Sequence, residues 1–437
     1  MGRGFKGESG MNRWSDRLIP HLIFCVTTCL VLFGLVMVYS SSAFDNYKSS
    51  RDKWETLVQT TVETATVKAG AATTTQEAIA DLELLRKEDA DRRASMWGTF
   101  LRQSRWVVLG FVILTLTAML DYPVWSKKIG WLVLGFLLLQ SMLFIVPADT
   151  GLPIQSRIVN GARSSIQFLV IRFQPSEVAK VGVTIFTAWF LARRFETGKK
   201  SLLSLLPAVL IIGTSVGLIL CESDKGVAGH LMLAMIAFWM ISGVRFLYIL
   251  LLSGAGAAAM AALVAVSEEA KSRIFGVPFQ LEHALAAFSR GGLFGRGLGD
   301  GDADLAYLYG AHTDFILAVV GEELGFVATL SLVLGYLFLI LLGIRVASRC
   351  ADPFGTYLAL GVTVLLGTQA FLYMAVNTGL APTTGFTLPL ISYGGSSLIW
   401  TMAAIGILIN ISLTTPNQLL ENAKRGTGPF GFSGRGA

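Results

Sequence analysis

A small set of ionisable residues stands where apolar stretches of the chain begin or break. Glu177 and Lys180 open one stretch, Glu222, Asp224 and Lys225 interrupt another, and Asp314 opens a third, with Glu322 and Glu323 about two turns further along. Charges beside hydrocarbon cost free energy and are functional candidates by default. A carboxylate so placed can take a proton from a hydroxyl as a bond forms, and a lysine can hold a phosphate as a point charge. Position alone leaves a plainer reading open. An acid at a helix N-terminus is equally a cap or a partner of the helix dipole, and Glu322 and Glu323 could equally pack helices together. All but the Glu322–Glu323 pair are expected at the non-cytoplasmic face.

The elements that must hold these groups are membrane helices. Of 437 residues 53% are hydrophobic and only 15% charged, against about 25% charged in soluble domains. The apolar residues form about ten runs long enough to cross a bilayer. They lie near 18–41, 104–121, 129–147, 175–193, 203–221, 226–244, 246–266, 314–343, 355–377 and 396–414. The expected fold is an all-α polytopic membrane protein. The first run is too long for a cleaved signal peptide, and no clean small-residue site follows it. Lys127, Lys128, Arg193, Arg194, Lys199, Lys200, Arg245, Arg345 and Arg349 fall in alternate connections, on the side of the basic N-terminal tail. The positive-inside rule then puts both termini in the cytoplasm. The division is a tail over 1–17, a membrane domain over 18–414 and a tail over 415–437. The net charge of +6 is mostly this topology signal, and its scatter over short loops argues against nucleic acid.

The outer segments differ in character. Residues 43–103 are polar and mixed in charge, with a linker-like Thr64–Thr75 and an amphipathic helix expected over Gln76–Met96. This loop is a solvated hairpin or a partner surface. Asp149–Phe173 carries Arg157, Arg163 and Arg172; Ser267–Thr313 is glycine-rich from Gly291 to Gly301; Leu380–Ser397 is uncharged and rich in Pro and Gly. Long loops in compact proteins are more often functional than idle. Cys25, Cys29, Cys221 and Cys350 suggest no disulfide or metal spacing, and the four histidines do not cluster.

Four blocks add identity to position. They are Gln174-Pro175-Ser176-Glu177-Val178-Ala179-Lys180; Gly291-Gly292-Leu293-Phe294-Gly295-Arg296-Gly297-Leu298-Gly299; Ala311-His312-Thr313-Asp314-Phe315 with Gly321-Glu322-Glu323-Leu324-Gly325; and Gly385 through Ser397. In this order they closely resemble the SEDS family (shape, elongation, division, sporulation), its division branch more than its elongation branch. The resemblance implies a peptidoglycan glycosyltransferase that polymerises lipid II at the outer face of the cytoplasmic membrane. It implies that Asp314 matches the family's essential acid, with Lys180 close to it across an outer cavity. Candidate substrate-binding residues on the same reading are Lys180, Arg163, Gln174, Ser176, Glu177, Glu222, His312, Thr313, Arg290, Arg296, Ser392, Gly394 and Gly395.

The implied reaction suits these residue types. A sugar hydroxyl needs a base, an inverting displacement needs only one, and a departing pyrophosphate needs cationic side chains or a divalent cation, Mg2+ or Mn2+. Implied partners are lipid II, the growing glycan strand, a class B penicillin-binding transpeptidase, other division proteins and membrane lipids. A lipid II flippase and a non-catalytic division scaffold are the alternatives. The chain departs from the family pattern at Tyr309-Gly310, where Pro-Glu is usual, and at Ser223 and Lys225. Further departures are Ser164-Ser165, His283 and Tyr373, the last where asparagine is usual.

Overall fold

The computed structural model describes residues 18–42, 97–146, 154–159, 162–168, 171–198, 201–222, 224–266, 279–299, 312–385 and 387–424. The expected Gln76–Met96 helix, the linker before it, and Tyr309-Gly310 lie outside these residues. The first helices are α1 (Leu18–Ser42) and α2 (Trp97–Met119). There follow α3 (Pro123–Lys127), α4 (Ile129–Ile145), strands β1 (Ile154–Val159), β2 (Ala162–Phe168) and β3 (Ile171–Phe173), and α5 (Pro175–Thr197). A 3-10 turn, Leu203–Leu205, leads into α6 (Leu206–Cys221), then come α7 (Lys225–Ile241), α8 (Phe246–Val266) and α9 (Phe279–Gly291). The last four are α10 (Ile316–Glu323), α11 (Gly325–Arg349), α12 (Pro353–Asn377) and α13 (Gly395–Lys424). Among the described residues, six helices are long and apolar enough to cross a membrane. The chain is a multi-pass, mostly helical membrane protein.

Local sequence explains the helix ends that matter. Pro175 starts α5, Glu177 sits in its first turn, and Gly198 ends it in the left-handed conformation with φ 62°. Asp224 caps α7, its carboxylate accepting from the Val227 amide at 3.1 Å. Asp352 does the same for α12 through Gly355, at 2.9 Å, ahead of Pro353. α12 is the central post: it packs against α11, α5 and α7, and α13 lies against it. Within the bundle, Gln140 of α4 and Ser215 of α6 satisfy each other, Ser215 Oγ donating to Gln140 Oε1 at 3.0 Å.

Three features differ from the expectation. The segment before α5 is a three-stranded antiparallel sheet, order β1-β2-β3, with Ile154 opposite Phe168, Val159 opposite Ala162 and Ile166 opposite Phe173. Its signal was present: two alternating segments separated by Asn160-Gly161, a hairpin pair. α13 continues to Lys424, beyond the run ending at 414. The run over 314–343 is not one helix but two, α10 and α11, broken at Leu324–Gly325 where Gly325 has φ 77°.

The break has a steric cause. The turn after α9 is interlocked with it through backbone: Arg296 N donates to Glu322 O at 3.1 Å, Gly297 N to Glu323 O at 2.9 Å, and Phe326 N to Gly292 O at 2.9 Å. A Cβ on Gly291 would lie 1.8 Å from Gly321 O, and one on Gly325 would lie 2.3 Å from Gly295 N. Only glycine permits that approach.

Candidate active site

The candidate groups gather where α5, α7, α12 and α13 present the ends Pro175, Lys225, Asn377 and Gly395, alongside the Ser42 end of α1. At its centre is a buried ion pair. Lys180 Nζ lies 2.9 Å from Glu177 Oε1 and donates to Gln369 Oε1 at 3.1 Å. Both charged side chains are almost fully enclosed. Removing one partner of such a pair leaves the other as an uncompensated buried charge. Gln369 in turn donates to Thr387 O at 3.0 Å, and the Thr387 hydroxyl bonds Ser397 Oγ at 2.9 Å.

Beside this pair lie two more acids. Gln174 Nε2 donates to Asp224 Oδ2 at 3.1 Å. Burial raises the Asp224 carboxyl above the usual range, and the Val227 amide partly offsets this. Glu222, 1% exposed, has no hydrogen-bond partner for either carboxylate oxygen among the described residues. Burial, with a smaller effect of neighbouring Asp224, pushes it up to about 8. The Ser176 hydroxyl is also buried without a hydrogen bond.

Asp314 sits in the turn just before α10, and its backbone is suspended from two elements. Tyr393 N donates to His312 O at 3.0 Å; Ser392 Oγ and Tyr373 OH both donate to Thr313 O, at 2.7 and 3.3 Å; Asn377 Nδ2 donates to Asp314 O at 3.0 Å. Three successive carbonyls are therefore fixed. The Asp314 side chain is half-buried and lies against Gly385, with Oδ2 3.5 Å from where a Cβ of Gly385 would be. His312 packs edge-on to Tyr393 at 5.5 Å, and burial holds its imidazole below the ordinary range.

The two ends of α10 have separate anchors. Glu323, at the far end of α10, accepts from Ser40 at 2.7 and 2.9 Å, near the Ser42 end of α1. Ser392 follows Ile391, which presses on Gly34, six residues or about 9 Å deeper along the same helix. Asp314 itself is held by Asn377, the last residue of α12, so both ends of α10 lie among the helix ends that form the site. Of the pair expected further in than Asp314, Glu323 closes α10 beside Ser40, two residues from the Ser42 end of α1.

The remaining candidates divide. Lys180, Gln174, Glu177, Glu222 and Ser176 are brought together around the α5 start, and His312, Thr313 and Ser392 around Asp314. Arg296 lies at the opposite end of α10 from Asp314, exposed, and Arg290 ends α9 beside it; the eight residues of α10 separate them from Asp314 by about 12 Å. Arg163 is on β2, its side chain outside the described part. Gly394 and Gly395 serve packing: a Cβ on Gly395 would lie 2.3 Å from the Trp106 ring, and one on Gly394 3.1 Å from Thr387. The Ser392 hydroxyl is spent internally, also accepting from Leu388 N at 2.9 Å. The roles of Tyr373 and Asn377 escaped the sequence reading, although they follow Gln369 at successive four-residue spacings. Among the described residues no three acidic, histidine or cysteine side chains come together as metal ligands, so these residues do not form a cage for a divalent cation.

Comparison with known proteins follows this geometry. The profile of the FtsW/RodA/SpoVE family of cell cycle proteins matches residues 78–417. The probable peptidoglycan glycosyltransferase FtsW of Geobacter sp. strain M18 is 36% identical over 321 residues, covering 71% of this chain and 86% of its own. That of Coxiella burnetii is 36% identical over 334 residues, covering 73% and 87%. Among solved structures, a chain from a study of the structural coordination of polymerization and crosslinking by a peptidoglycan synthase complex superposes with TM-score 0.59 at 25% identity, covering 72% of this chain and 90% of its own. The rod shape determining protein RodA of Thermus thermophilus gives TM-score 0.58 at 24% identity over 90% and 96%, a likeness of fold. The chain belongs to the FtsW/RodA/SpoVE family of cell cycle proteins.

Proposed function

We propose that this chain is a peptidoglycan glycosyltransferase that polymerises lipid II into glycan strands during cell division, with Asp314 as general base. The observation that carries the assignment of the base is the suspended turn: its backbone is tied at three consecutive carbonyls while the Asp314 side chain stays half-exposed. A fixed backbone with a reachable carboxylate is what a positioned base requires. In the reaction, the acceptor sugar's 4-oxygen forms a bond to the donor's anomeric carbon as its proton passes to Asp314. The bond from that carbon to the pyrophosphate oxygen breaks, the electron pair leaves with the pyrophosphate, and the anomeric centre inverts. Lys180, held by Glu177 and Gln369, supplies charge toward the leaving group. Mg2+ or Mn2+ would arrive on the pyrophosphate itself, since phosphate-bound Mg2+ needs only one or two protein carboxylates.

The remaining assignments are proposals of the same reading. Both termini are cytoplasmic, the site faces outward, and the chain works at the septum with a class B penicillin-binding transpeptidase. A solved neighbour from a peptidoglycan synthase complex supports such a pairing. The flippase alternative drew on Glu322 and Glu323 as midplane groups, and the bond of Glu323 to Ser40 near the Ser42 end of α1 weighs against it.

The test is polymerisation of fluorescent lipid II by the purified protein in detergent with its transpeptidase. Asp314→Asn should lower the rate by at least about 100-fold with an unchanged melting temperature. Polymer made at the wild-type rate by that variant would refute the base assignment.

A further inference from the structure

We infer that Gln369, Tyr373 and Asn377 form a positioning ridge on α12 that sets the place of Asp314 relative to Lys180, with the Tyr373 hydroxyl as one of two donors to the Thr313 carbonyl. The inference rests on the glycan polymerase reading above. Residues four apart share one helix face. These three are 3%, 1% and 0% exposed. Each holds a different part of the site: Gln369 bonds the Lys180 ammonium, Tyr373 the Thr313 carbonyl, and Asn377 the Asp314 carbonyl. Eight residues of one rigid helix put the first and last contacts about 12 Å apart along its axis.

A second path closes the same frame. Gln369 also bonds Thr387 O, the next residue's amide bonds Ser392 Oγ, and Ser392 Oγ donates to Thr313 O. The cation and the base turn are thus joined twice, once through α12 and once through the 387–392 segment. The two paths converge on one atom, since a carbonyl oxygen accepts two hydrogen bonds. Helix packing alone would not aim three buried polar side chains at the ion pair and at consecutive carbonyls of a non-helical turn. None of the three needs to touch substrate. They act through Asp314 and Lys180 and are positioning residues.

The experiment compares wild type, Tyr373→Phe, Ser392→Ala, the double variant and Ser392→Thr in full-length protein with the transpeptidase and fluorescent lipid II. Amide hydrogen exchange is followed in parallel. Each single variant should lower kcat about tenfold with KM for lipid II within about twofold. The double variant should lose more than the product of the singles, because either donor alone still holds Thr313 O. Ser392→Thr, which keeps the hydroxyl, should recover most of the rate. Exchange should quicken over residues 312–316 and not in α4 or α6. Unchanged kcat, a rise in KM at constant kcat, or loss of protection throughout the bundle would each overturn the inference. If the double variant fails to fold, the singles and their exchange decide. Wild-type protein that makes no polymer would refute the glycan polymerase reading itself, and the positioning of a polymerase base with it.

Discussion

Asp314 shows what a residue can and cannot say. In the sequence it is an acid at the start of an apolar run, equally a cap or a catalyst. In the structure the N-cap position of α10 is taken by Phe315, and Asp314 stands one residue before it. Glu222 was read as an acid interrupting a run and, through the resemblance, as a candidate substrate-binding residue, and its enclosure has a measurable consequence. A carboxyl raised to about 8 in the folded protein keeps its proton where the unfolded chain, near pH 4.5, has lost it. The folded state then binds more protons than the unfolded one, so stability falls as pH rises from about 4.5 to about 8 and levels off above. Glu222→Gln should melt higher than wild type at pH 8 in detergent, with the gap closing toward pH 5; a constant gap would contradict the shift. Lys180→Ala should cost about 3–5 kcal/mol by stranding buried Glu177, read as a fall in melting temperature that Glu177→Gln in the same chain partly reverses.

At the scale of elements, hydropathy located the helices because bilayer crossing demands contiguous apolar residues. It could not see the break between α10 and α11, since Leu324 and Gly325 interrupt no apolar pattern. The break is made by backbone contacts with the turn after α9, more than twenty residues away in sequence. The glycine density of that turn was legible, and its purpose was not. Gly291→Ala, whose Cβ would meet the Gly321 carbonyl at 1.8 Å, should lower the melting temperature by several degrees and disturb the Asp314 turn through α10. Gly217→Ala on α6, with nothing within 4 Å, should be neutral or slightly stabilising. Equal effects from the two would remove the interlock as the cause. The Asn160-Gly161 hairpin is the converse case, a local signal sufficient to foresee β1 and β2 but outweighed by the all-helical composition around it.

Across the whole molecule, the basic residues of alternate connections are the signal for the proposed orientation, with both termini cytoplasmic. In a variant lacking its four native cysteines, Leu380→Cys, 84% exposed, should react with a membrane-impermeant maleimide added outside intact cells. Lys128→Cys should react only after permeabilisation, and the reverse pattern would invert the topology. The sequence by itself determined that this is a multi-spanning membrane protein, where its helices lie, and, through four ordered blocks, its family. Those properties are local or additive: runs of apolar side chains, caps, and residue order. Only the tertiary structure decided that α10 separates the Asp314 turn from the backbone of Arg290 and Arg296, and that one face of α12 holds both Lys180 and the Asp314 turn. Each of these depends on bonds between residues tens to hundreds of positions apart, such as Ser40 with Glu323 and Asn377 with Asp314, and no single segment encodes such a bond.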